Sequence, residues 1–104
     1  MWIIKPSTVR TFEQEHSVAS TGLEHWLEVA ESAQWKNLID VRRSFRSADE
    51  VKVASGRKVV VFNISGNQFR LITAIHYNLG KLFILRFMTH ADLSIDLWNT
   101  RHGS

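Results

Sequence analysis

The chain has 104 residues, enough for one compact domain over residues 1–100 with a short tail at 101–104, and too few for two domains. Cysteine is absent, which excludes disulfide frameworks, thiolate metal sites and cysteine nucleophiles, and no apolar run reaches bilayer length. The net charge of +3 is unevenly spread: residues 1–35 carry two basic and five acidic side chains, residues 36–104 eleven and five.

Met1 to Ile4 is a short apolar segment that suits an edge strand. Pro6 suits the first turn of a helix running toward His16, because its missing N–H would have no partner there. Thr21 to Glu24 has the form of a capping box. Leu23, Trp26, Leu27 and Ala30 follow at i, i+3, i+4 and i+7, the apolar stripe of a second helix. Glu24, Glu28 and Glu31 fall off that stripe, and His16 and His25 read as solvated residues beside them. A connecting stretch from Trp35 to Phe45 holds one short helix around Ile39 to Arg43.

From Val51 the period changes to two. Ser55 and Gly56 turn the chain into Lys58 to Ile64, whose β-branched residues and short length favour a strand. Turn signals at Ser65-Gly66-Asn67 and Asn78-Leu79-Gly80 flank a strand from Gln68 to Tyr77, and another runs from Lys81 to Thr89. The fold class is α+β, with N-terminal helices packed on a small antiparallel meander. His90 to Trp98 is expected to close the chain with a helical turn through Leu93 and Leu97.

Strand alternation puts Phe69, Leu71, Thr73, Ile75 and Tyr77 on one face, with Arg70, Ile72, Ala74 and His76 on the other. A three-residue loop at Asn78 to Gly80 pairs Tyr77 with Lys81 and Leu71 with Phe87. Phe83, Leu85 and Phe87 then lie under the helices, and Arg86 emerges beside Arg70 and His76, with His90 continuing its register. A three-residue loop at Ser65 to Asn67 adds Lys58 to this face, whereas a two-residue loop removes it. Arg86 interrupts an otherwise apolar run from Leu82 to Met88. A guanidinium there is either paired, with Asp92 or a helix glutamate, or held ready for an anion. Arginines beside a histidine are what phosphate chemistry requires: bidentate donors and a group that moves a proton near neutral pH.

Trp2, Trp26, Trp35 and Trp98 are too scattered to form a stacking platform by spacing, and Trp26 reads as core. The five histidines show no HxH or HExxH spacing, and Walker, GxGxxG and GxSxG motifs are missing, so neither a metal nor another cofactor is expected.

Val59 to Leu71, VVVFNISGNQFRL, resembles the VVFNIGGNKYRL hairpin of HigB-family toxins from bacterial type II toxin–antitoxin modules. Leu85 to Asp92, LRFMTHAD, is similar to that family's IRFVGTHAEYD segment. Trp35-Lys36-Asn37, Val41 to Phe45 and Ile75-His76-Tyr77 fall at matching intervals, and the resemblance spans about Trp26 to Asp92. It implies a RelE-like microbial ribonuclease fold and an mRNA endonuclease, commonly acting on the translating ribosome; the expected chemistry is metal-independent, and the missing cysteine and apolar leader make a cytoplasmic setting the expectation. It also implies a helix-turn-helix HigA-type antitoxin that neutralises the toxin and represses the operon, so that DNA is met only through the complex. On this reading His90 is the general acid or base, and Arg86 and Arg70 stabilise transition-state charge. Lys36, Arg46, Arg57, Lys58 and His76 attract RNA. The chain departs from the family at Asp92, Leu93 and Ser94, where Glu, Tyr and Asp are usual. Leu93 can neither stack on a base nor help move a proton, so the proton carrier is His90, or else His76, Tyr77 or a ribosomal group. Two other classes stay open: a non-nucleolytic toxin acting on a protein, as ParE relatives act on gyrase, and an RNA-binding regulator without full catalysis.

Overall fold

The computed structural model describes residues 1–66 and 68–89. The expected closing turn through Leu93 and Leu97 and the tail at 101–104 lie outside the described residues. The element order is β1 (Trp2–Ile4), α1 (Ser7–Glu15), a 3-10 turn (Ser17–Ala19), α2 (Ser20–Ser32), α3 (Leu38–Ser44), β2 (Asp49–Lys52), β3 (Lys58–Ile64), β4 (Phe69–His76), a 3-10 turn (Tyr77–Leu79) and β5 (Lys81–Thr89). The architecture is α+β: among the described residues, three helices lie against one face of a mixed five-stranded sheet, ordered β1-β5-β4-β3-β2. β2 to β5 form the antiparallel meander, and β1 adds itself as a parallel edge beside β5. Among the described residues no helix is long and apolar enough to cross a membrane.

The core follows from the two periods read in the sequence. The α2 stripe buries Leu23, Trp26 and Ala30 completely, against Val60, Phe62, Ile64, Leu71 and Leu82 of the sheet. Trp26 meets Phe62 edge-on at 5.4 Å, and Trp35 stacks on the same ring at 6.0 Å. Each such fully buried side chain contributes roughly 1.5–3 kcal/mol. Gly22 lets α2 approach β3 closely, since a Cβ there would stand 2.9 Å from Ile64 Cγ2 and 3.1 Å from the Ser65 backbone N. Gly80, at φ 66°, supplies the left-handed residue that ends the 3-10 turn before β5.

The capping box expected at Thr21 to Glu24 does not form. The 3-10 turn feeds straight into α2, Ala19 takes the N-cap without a side-chain bond, and Thr21 already lies inside the first turn. A side-chain cap does form at α3, where Asn37 accepts the Asp40 N–H at 3.0 Å and Asp40 accepts the Lys36 N–H at 3.0 Å. His16 is likewise not a solvated residue: it lies half-buried, edge-on to Phe69 at 5.3 Å and Phe87 at 5.5 Å.

Two register details correct the sequence reading. His76, not Tyr77, pairs with Lys81, because the connection takes four residues, 77–80. Leu71 nevertheless pairs with Phe87, because a β-bulge intervenes: Thr73 pairs with Ile84 and Ile72 with Arg86, leaving Leu85 as the extra residue. The bulge switches faces within β5. Leu82 and Ile84 turn toward the helices, Phe83 turns away, Leu85 is 49% exposed, and Phe87 returns to the helix side to stack on Phe12 and Phe69.

Candidate nucleic-acid interface

The face of the sheet away from the helices is built in rows across the strands. One row joins Asn63, Arg70 and Met88; the next joins Val61, Ile72 and Arg86. Arg70 and Arg86 are therefore diagonal neighbours on adjacent strands, where long side chains reach one another. Both keep the outward orientation that strand alternation predicts, Arg86 because of the bulge at Leu85. Arg70 is half-buried, and its Nη1 donates to the Phe69 carbonyl at 3.1 Å; Arg86 is exposed. The apolar floor beside them is a small cluster of Val59, Val61, Ile72 and Met88, with Val51 and Val53 packed against it. Guanidiniums held by a rigid sheet over an apolar floor can bind phosphate oxygens bidentately.

His76 shares this face but not this end of it. It pairs with Lys81, and six residues of β4 separate it from Arg70, about 20 Å at strand rise. It stands exposed, edge-on to Phe83 at 5.2 Å. Arg70, Arg86 and His76 thus share a face, but His76 is not assembled with the two arginines. His90 follows Thr89, which pairs with Phe69 beside Arg70, but His90 itself lies outside the described residues, as do Asp92, Leu93 and Ser94.

The other basic residues separate. Ile64 pairs with Phe69, so the connection is 65–68, four residues long. That register places Lys58 on the face opposite Arg70 and Arg86, where its Nζ lies 3.9 Å from Glu50 Oε1. Arg57 is exposed in the turn between β2 and β3, and Arg46 is exposed after α3. Lys36 flanks a cavity of about 310 Å³ with Trp35, Tyr77 and Gly80. The Tyr77 hydroxyl is pushed up from its ordinary value by burial and then by the Glu50 charge.

Two residues that the sequence did not mark as site residues stand out together. Trp2 is 68% exposed, and Lys81 Nζ lies 5.6 Å above its ring. Neither was legible locally, because a parallel pairing of β1 with β5 brings together segments at opposite ends of the described chain. On the other side of the molecule, α1 and α2 flank an open cleft of about 500 Å³ whose lining includes Val9, Arg10, Glu13, Glu24 and Leu27. Burial, and then the neighbouring Glu24, raises the Glu13 carboxyl above the usual carboxylate range.

Residues 19–94 match the family described as HigB_toxin, RelE-like toxic component of a toxin-antitoxin system. Comparison with curated proteins returns no match.

Proposed function

The chain belongs to the HigB toxin family, the RelE-like toxic component of toxin–antitoxin systems, and from that premise we propose that it is an endoribonuclease that cleaves mRNA on the translating ribosome. The observation that carries this reading is the pair Arg70 and Arg86, diagonal on one sheet face. The RNA 2′-OH gives up its proton and attacks the adjacent phosphorus, the bond to the 5′ oxygen breaks, and the leaving oxygen takes up a proton, leaving a 2′,3′-cyclic phosphate and a 5′-hydroxyl. Arg70 and Arg86 hold the non-bridging oxygens as negative charge grows on them, the kind of preorganised contact worth about 10²- to 10³-fold in rate. His90 carries the proton, a role supported by the Thr89-His90 match to the family and by the pairing of Thr89 beside Arg70. Lys36, Arg46, Arg57 and His76 add attraction for the RNA backbone that weakens with salt, whereas Lys58, on the other face beside Glu50, takes no part. No metal or other cofactor takes part in this scheme.

The family implies an antitoxin partner. The finer reading is a helix-turn-helix HigA-type protein that neutralises the toxin in the cytoplasm. Incubating the chain with translating ribosomes and mapping mRNA 5′ ends tests the proposal. New 5′ ends, lost in His90→Ala, support it; intact mRNA accompanied by DNA damage supports a protein-directed toxin instead.

A further inference from the structure

The register across three strands lines up Trp2 of β1, Lys81 of β5 and His76 of β4 in one row at the end of the sheet opposite Arg70. Neighbouring strands lie about 4.8 Å apart, so the three side chains form a contiguous strip. Lys81 Nζ caps the Trp2 ring at 5.6 Å, within cation–π range. The next row, Ile4, Phe83 and Ala74, continues the surface toward the arginines, and Phe83 supports His76 edge-on at 5.2 Å.

The platform is anchored. Ile3, between the two outward residues of β1, is 3% exposed, and the Trp2 N–H donates to the Gly80 carbonyl at 2.8 Å. A large indole left 68% exposed on a fixed strand forgoes burial that an aromatic side chain ordinarily gains. The charge on this face favours an anionic occupant. Lys81 brings a cation to this row, and the acid that the described strands place on the same face, Asp49, is bound by Arg42 at 3.2 Å. An exposed aromatic next to a cation, on a face that also carries Arg70 and Arg86, matches how proteins hold single strands: bases stack, and the backbone follows the charge.

We propose that the Trp2–Lys81–His76 row is a second subsite for single-stranded RNA, where Trp2 stacks on a base and Lys81 and His76 meet the flanking phosphates. It rests on RNA being the substrate, and it sets the path of the RNA: a strand gripped at this row runs along β4 and β5 to the arginines about 20 Å away.

The test is a titration of the full chain with a fluorescein-labelled 2′-O-methyl oligonucleotide of about ten residues, which lacks the attacking hydroxyl and stays intact. Trp2→Leu should weaken binding about tenfold, Trp2→Phe should restore most of the affinity, and both should melt at the wild-type temperature. Lys81→Ala should lower the salt slope by about 0.7, whereas Trp2→Leu should leave it unchanged. Wild-type binding that Trp2→Leu does not alter overturns the subsite and leaves the nuclease reading standing. A wild-type chain that neither binds this oligonucleotide nor cuts RNA overturns both.

Discussion

Arg70 and Arg86 lie diagonally across the β4–β5 ladder, Arg70 opposite Met88 and Arg86 opposite Ile72, on the face of the sheet away from α1, α2 and α3. Groups that bind the same phosphate act as a unit, so their contributions should not add. Arg70→Ala and Arg86→Ala should each slow RNA cleavage by about 10²- to 10³-fold, and the double variant should lose clearly less than the product. Single-turnover rates on one RNA measure this; simple additivity would place the two arginines on different parts of the substrate.

The bulge in β5 makes a prediction that plain alternation reverses. Leu82 is fully buried, so Leu82→Ala should cost about 2–5 kcal/mol. Leu85, half exposed at the bulge, should accept Glu within about 0.5 kcal/mol. Urea unfolding of both variants decides between the bulged register and an unbroken one, in which Leu85 would be the core residue.

Gly22 separates helix propensity from packing. Alanine is the better helix former by about 1 kcal/mol, yet its methyl would press on Ile64 and on the Ser65 backbone. Gly22→Ala should therefore destabilise the chain by about 1–3 kcal/mol, seen as a lower thermal midpoint.

The α1–α2 cleft predicts a pH dependence. Burial and Glu24 hold the Glu13 carboxyl above its ordinary value of 4.5, with Arg10 opposing the shift. The folded chain binds that proton more tightly than the unfolded chain, so the contribution to stability is full below the ordinary value and is lost as pH rises through the raised one. Glu13→Gln should stabilise the chain at pH 7 by a few tenths of a kcal/mol, screened as surface charges are, and the gain should vanish at about pH 4. Denaturation at the two pH values checks the sign.

Much of this architecture was legible because each element carries its period. The α2 stripe and the limits of β3 and β5 follow from residue type alone. The pairing of Leu71 with Phe87 also emerged, but through two cancelling departures: a connection one residue longer than read, and the bulge at Leu85. Alternation has no way to signal a bulge, which is why Phe83 and Ile84 exchange faces relative to the sequence reading. Loop length was likewise silent at 65–68, and one added residue moved Lys58 to the other face. The candidate site was half visible: both arginines were identifiable as charges on a strand face. The Trp2–Lys81 contact was not, because it depends on which strand β1 joins, a fact of tertiary pairing rather than local pattern.

The central claim is RNA cleavage through the 2′-hydroxyl, assisted by groups around Arg70 and Arg86. Its most direct test is the chemistry of the ends made when the chain, on translating ribosomes, cuts one defined mRNA. The account predicts a 2′,3′-cyclic phosphate with a 5′-hydroxyl, and no cutting when the nucleotide at the cut site carries a 2′-O-methyl group. A 3′-hydroxyl with a 5′-phosphate, or cutting that survives the methyl group, would contradict it.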